Sequence, residues 1–109
     1  MNVPTPRVEI LHLDPTRAEL LFSFDASALD ADVEIRAKVV GPRCPGVSTL
    51  EVSYPATALE NQRGRYRVTI PEPNIWQPEH PFLYEAIFEF WQSGLRVAKS
   101  ALPVGLRTS

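Results

Sequence analysis

The stretch PEPNIWQPEHPFLYEAIFEFW, residues 71–91, joins a proline-rich segment to an amphipathic one. In its second half every other residue from Phe82 to Phe90 is apolar, and Glu85 and Glu89 lie between them. This period of two is typical of a half-buried strand, because successive side chains of a strand point to opposite faces. Four prolines in the first half disfavour a helix or a central strand there. The stretch therefore predicts an irregular connection that leads into a core strand.

The same alternation recurs along the rest of the chain. The further candidate strands are residues 7–13, 17–26, 32–40, 47–54, 65–70 and 95–106. Leu50 is expected to face inward in the fourth of the seven, and the register of the last is expected to break near Pro103. Residues 27–31 and 56–62 are long enough only for helical turns. Seven short strands favour an all-β, antiparallel sandwich of the immunoglobulin or fibronectin-III type, as one domain over residues 1–109.

Charge on the polar faces supports a strand order. In this topology the second strand pairs with the fifth and the third pairs with the sixth, and opposite charges on paired strands favour the pairing. The charged residues are Glu19 and Asp25 against Arg65 and Arg67, and Arg36 and Lys38 against Glu85 and Glu89. Both predicted strand pairs therefore carry complementary charges on their polar faces.

Composition argues against several classes of partner. The 109 residues carry a net charge of -2, so no overall positive field favours nucleic acid or an anionic membrane. No stretch approaches the ~20 apolar residues of a membrane span, and the N-terminus lacks the apolar region of a signal peptide. Cys44 is the single cysteine, which excludes an internal disulfide and is compatible with the cytoplasm. The compartment stays open.

The sequence offers few residues in an arrangement suited to catalysis. The phosphate-binding, metalloprotease, nucleophile-elbow and CxxC motifs do not occur. His12 and His80 are far apart, and neither accompanies Cys44. Glu85 and Glu89 share a strand face at a separation of roughly 13 Å, whereas glycosidases place their two carboxylates about 5–9.5 Å apart. The residues thus indicate no catalytic, metal or cofactor site.

Residues 68–107 resemble the end of the immunoglobulin-like sandwich domain of glycoside hydrolase family 2, the group of β-galactosidases, β-glucuronidases and β-mannosidases. The shared features are a loop tryptophan, a P-E-x-P-x-L-Y turn, a glycine hairpin and a closing G-x-R. The residues that carry the resemblance are Trp76, Pro78, Glu79, His80, Pro81, Leu83, Tyr84, Gly94, Gly105, Leu106 and Arg107. Residues 1–60 agree in strand pattern alone. Ala98-Lys99 departs from the acidic residue that the family often has there, which indicates divergence.

The resemblance implies a non-catalytic role in carbohydrate metabolism. Enzymes of the family join a jelly roll, this sandwich and a (β/α)₈ barrel that holds both catalytic glutamates. The chain is then expected to be a scaffold or spacer whose partners are the neighbouring jelly roll and catalytic barrel. Trp76 is expected to cover the open end of the core, and the Tyr84 hydroxyl to bond to backbone.

An alternative interpretation is a free-standing module of the same fold that binds a polysaccharide or a protein. Such a module needs exposed aromatic side chains, and Trp91 and Trp76 are the candidate ligand surface. An excised domain and a free-standing protein are both compatible with the sequence. Sugar specificity and oligomeric state are not determined by it.

Overall fold

The period-two segments form two antiparallel four-stranded sheets in the computed structural model, which describes residues 3–107. The strands are β1 (Arg7–Asp14), β2 (Arg17–Ser23), β3 (Val33–Arg43), β4 (Val52–Pro55), β5 (Thr57–Ala58), β6 (Arg65–Pro71), β7 (Leu83–Gln92) and β8 (Leu95–Val104). The sheet orders are β1-β2-β6-β5 and β4-β3-β7-β8. A 3₁₀ turn, Ala26–Ala28, follows β2. The predicted antiparallel sandwich is confirmed, with β5 as an additional short strand.

The inward side chains of both sheets form one core. Phe24 joins the aromatic part of this core, with its ring edge-to-face with Phe88 at 5.1 Å and with Phe90 at 5.8 Å. Each such aromatic pair contributes about 0.5–1.5 kcal/mol beyond the area it buries. The other buried apolar residues are Ala18, Leu20, Phe22, Leu29, Ile35, Val39, Val68, Ile70, Tyr84, Ala86, Val104 and Leu106. The alternation seen in the sequence therefore marks the core correctly in β2, β6 and β7.

The two strand pairings expected from charge are both present. β2 pairs with β6, and Arg67 donates to Glu19 at 2.8 Å. β3 pairs with β7 and places Arg36 opposite Glu89, but these two form no ion pair. Glu89 binds Arg96 of β8 at 2.9 Å instead. The expected pairing of β3 with β7 is therefore present, although the arginine bound to Glu89 lies on the adjacent strand β8.

The segment around Leu50 differs from its predicted structure. β4 begins at Val52, and Leu50 is 85% exposed rather than inward. Residues 45–46, Pro-Gly, turn the chain away after β3, so β4 rejoins it only along Lys38–Gly41. Residues 56–62 also differ, since Thr57–Ala58 pairs with β6 instead of forming a helical turn.

The β7–β8 hairpin turns at Ser93 and Gly94, whose φ angles are 53° and 78°. Positive φ at both positions matches the twist of a two-residue hairpin. The register shift of this pair lies beside Trp91, whereas Pro103 stays in register with Glu85. The predicted register break near Pro103 is wrong. Because β8 is an edge strand, a proline there need not donate a backbone hydrogen bond to a neighbouring strand.

The β1–β2 turn is held by the Asp14 carboxylate. Its Oδ1 accepts from the Thr16 hydroxyl at 2.5 Å, from the Thr16 amide at 2.8 Å and from the Arg17 amide at 3.0 Å. Its Oδ2 lies 2.6 Å from Nε2 of His12. These hydrogen bonds, led by that of the Thr16 hydroxyl, hold the pKa of Asp14 well below its usual value.

We expect this turn to make the folded chain sensitive to acid. A carboxyl whose pKa is lower in the folded state stabilises the fold above its unfolded pKa of ~3.9, and that stabilisation is lost as pH falls further. Asp14→Asn should therefore reduce the loss of unfolding free energy measured by urea titration below about pH 4. Asp30→Asn, at an exposed aspartate, is the control. An unchanged pH dependence in Asp14→Asn would contradict this role.

Candidate functional site

The crossover loop, residues 72–82, contains five of the eleven residues that carry the family resemblance. Its backbone is tied to three other parts of the fold. The amide of Glu72 donates to the carbonyl of Thr16 at 2.9 Å, and that of Trp76 donates to the carbonyl of Leu106 at 2.8 Å. The amide of Asn74 donates to the Tyr84 hydroxyl at 2.9 Å. A connection between the sheets is thereby fixed at the β1–β2 turn, β7 and the end of β8.

Tyr84 is the part of this site that lies in the core. It follows Leu83 at the start of β7, where alternation turns it inward, and it is 2% exposed. Burial raises the pKa of its hydroxyl, although the Asn74 hydrogen bond acts in the opposite direction. The expected bond from this hydroxyl to backbone is present, so the side chain couples the core to the loop.

Gly41 makes room for the Tyr84 ring. A Cβ atom at Gly41 would lie 2.8 Å from Cδ1 of Tyr84, closer than packed atoms approach. Any larger residue would push the ring out of place, at a typical cost of about 1–3 kcal/mol. Sequence reasoning missed Gly41, because a glycine beside a proline in GPRCPG indicates a turn and gives no sign of the distant ring.

Trp76 is brought together with the closing Gly-Leu-Arg segment. Cδ1 of its indole lies 3.2 Å from where a Cβ of Gly105 would stand, and Cδ2 of Leu83 is 3.6 Å from the same point. The Arg107 guanidinium lies over the indole, 4.6 Å from the ring centroid. Four of the predicted signature residues thus form one cluster, which we call the indole cluster: Trp76, Leu83, Gly105 and Arg107.

The indole cluster is only partly a plug for the core. Trp76 is half-buried and does not belong to the set of buried core residues. Pro78 and Pro81 shape a turn in which the amides and carbonyls of Gln77 and His80 are mutually hydrogen-bonded. Pro78 is exposed and Pro81 half-buried. These prolines fix the path of the loop, while the indole packs against the end of β8.

Trp91, the second aromatic of the candidate ligand surface, lies on the outer face of β7. It is half-buried, and the Arg36 guanidinium stands over it at 4.2 Å from the ring centroid. Its indole N–H is buried without a hydrogen bond of good geometry. One face of each candidate ring is therefore occupied by an arginine. A ligand surface at Trp91 and Trp76 stays a prediction.

The acidic residues on the same face have separate basic partners. Glu85 lies 3.6 Å from Arg43, which also binds Glu51. Glu89 accepts from Arg96 at 2.9 Å, and that hydrogen bond lowers the pKa of its carboxyl. The lowered pKa of Glu89 is the opposite of the raised pKa that a general acid needs.

Residues 3–107 contain few other groups that could form a functional site. No three His, Cys, Asp or Glu side chains of that part of the chain are grouped to hold a metal ion. None of its helices is long and apolar enough to cross a membrane. His12 belongs to the β1–β2 turn and His80 stacks on Phe82 at a centroid distance of 6.1 Å. Cys44 is buried at the end of β3.

Comparison with known proteins agrees with this arrangement. The profile of the family described as Glycosyl hydrolases family 2 matches residues 7–107. Among solved structures, a β-glycosidase from Bacteroides vulgatus superposes with a TM-score of 0.63 at 17% identity. The match covers 94% of this chain and 13% of that glycosidase, so the chain spans a small part of its length. No curated protein sequence matches significantly.

We expect Trp76→Ala to destabilise the fold by about 2 kcal/mol. This is less than the ~3–5 kcal/mol typical of a fully buried aromatic, because the indole is half-buried. Arg107→Ala should cost at most about 1 kcal/mol, the usual size of an exposed cation–π contact. Urea denaturation measures both values, with Arg65→Ala as the surface control. A Trp76→Ala variant as stable as the parent chain would show that the indole contributes nothing to folding.

Proposed function

Because the chain belongs to glycoside hydrolase family 2, we propose that it is a non-catalytic sandwich module of a family 2 glycosidase, folded as one domain over residues 1–109. In this role it is a scaffold and spacer in an enzyme of carbohydrate metabolism. The observation that carries the proposal is the use of the signature residues. Trp76, Tyr84 and Gly105 are engaged with the protein's own loop and strands, and Tyr84 is 2% exposed.

The state of the acidic side chains supports a non-catalytic role. A glycosidase needs one carboxyl that can donate a proton and a second that stays ionised. Glu85 and Glu89 each have an arginine partner, and the pKa of Glu89 is lowered rather than raised. The carboxylate of Asp14, whose pKa is also lowered, is committed to the β1–β2 turn through three hydrogen bonds at Oδ1 and one contact with His12.

The length of the match supports neighbouring modules. This chain corresponds to 13% of the superposed β-glycosidase. The catalytic groups of such an enzyme then belong to the remainder, which by the family resemblance comprises a jelly roll and a catalytic barrel. A spacer between them needs a rigid body with a fixed exit for the chain. The Trp76–Leu106 hydrogen bond and the Arg107 stack provide such an exit.

We expect the purified chain to hydrolyse no glycoside. It would be incubated with the p-nitrophenyl β-galactoside, β-glucuronide and β-mannoside, and release of p-nitrophenol would equal that of buffer. Glu85→Gln and Glu89→Gln are the matched variants that separate true turnover from a contaminant. Release that scales with protein, survives repurification and is lost in either variant would refute the proposal.

A further inference from the structure

An apolar surface lies beside the β3–β4 connection. Leu50 is 85% exposed there, and Val47 and Leu83 are also exposed. Val47, Leu50 and Phe82 line one depression of about 300 Å³, and Leu83 lines the adjoining groove of about 490 Å³. Thr49 borders both. We call Val47, Leu50, Phe82 and Leu83 the Leu50 patch. Adjoining exposed apolar side chains of this kind mark an interaction site, whereas a scattered one does not.

The groove beside the patch suits a segment of protein better than a sugar. Its apolar walls include Pro45, Leu83 and Pro103. The one aromatic ring that lines it, Tyr84, is 2% exposed and has its hydroxyl engaged, so it offers no face for a pyranose to stack on. The rim carries Arg43, which is held between Glu51 and Glu85. An apolar side chain flanked by polar groups matches such a groove.

The patch adjoins the place where the chain leaves the sandwich. Leu83 belongs both to the patch and to the indole cluster, where it approaches Gly105. Pro103, two residues before Gly105, forms a wall of the groove. Arg107 is held nearby over the Trp76 indole. A polypeptide that continues past Arg107 would therefore start within a few side-chain lengths of the Leu50 patch.

We propose that the Leu50 patch and the adjoining groove are the docking surface for the module that follows the sandwich in the natural polypeptide. This inference rests on the proposed function. The occupant is an apolar segment of that module, with polar neighbours for the Arg43 rim. Docking beside a fixed exit needs only a short connection, which raises the effective concentration of the docking segment. It also removes Leu50 from water.

Hydrogen exchange tests the docking surface. The natural polypeptide and the chain of residues 1–109 would be compared by mass spectrometry on peptides that cover residues 46–52. We expect exchange there to be at least about tenfold slower in the natural polypeptide, because docking suppresses local opening. Leu50→Asp in the natural polypeptide should restore fast exchange. Leu95→Asp, at a leucine 70% exposed at the start of β8, should not.

Each other outcome has a distinct meaning. Equal exchange in the two proteins would overturn the docking surface and leave the proposed function standing. Slow exchange in the chain of residues 1–109 alone, dependent on concentration and lost in Leu50→Asp, would assign the patch to a second copy and overturn the proposal. A natural polypeptide whose mass has no room for a following catalytic module would refute the proposed function itself.

Discussion

The Tyr84 hydroxyl accepts a hydrogen bond from the amide of Asn74. This contact links the core to the crossover loop, and the rest of the site depends on that link. A connection between two sheets carries backbone N–H groups that have no ladder partner, and each one left unsatisfied in a buried position costs about 1–3 kcal/mol. Tyr84 supplies an acceptor from within the core. The carbonyls of Thr16 and Leu106 supply two more. A proline-rich segment thereby takes one path across the end of the sandwich.

That path determines where the indole of Trp76 lies. Its backbone bond to Leu106 places the ring on Gly105, where the absence of a Cβ allows contact, and beneath Arg107. The same residues carry the resemblance to family 2 glycosidases. Their arrangement explains why a loop tryptophan and a closing G-x-R segment occur together in one sequence. They hold the segment that follows β8 against the crossover loop, as the proposed spacer role requires.

Much of the fold could be predicted because its strands are half-buried. Alternation in β2, β6 and β7 indicated the core directly, and opposite charges correctly paired β2 with β6 through Glu19 and Arg67. Alternation failed around Leu50, since an exposed apolar residue in a loop has the same pattern as an inward one in a strand. That failure coincides with the proposed docking surface, where an exposed leucine would serve interaction rather than folding.

The details of the site depend on contacts between distant residues, which no local pattern encodes. Gly41 fits under Tyr84 and Arg36 covers Trp91, and both pairs are more than 40 residues apart in the sequence. The resemblance singled out Trp76, Leu83, Gly105 and Arg107, but it gave no sign that these residues lie together in one cluster. It also suggested a buried plug, whereas the indole is half-buried against β8.

The central claim is that the signature residues fasten the crossover loop to the fold. Amide hydrogen exchange measured by NMR tests it most directly, at the amides of Asn74 and Trp76. We expect both amides to exchange orders of magnitude more slowly than the amide of Ser48 in the exposed β3–β4 loop, and Tyr84→Phe to speed exchange at Asn74. Asn74 and Trp76 amides that exchange as fast as that of Ser48 would contradict it.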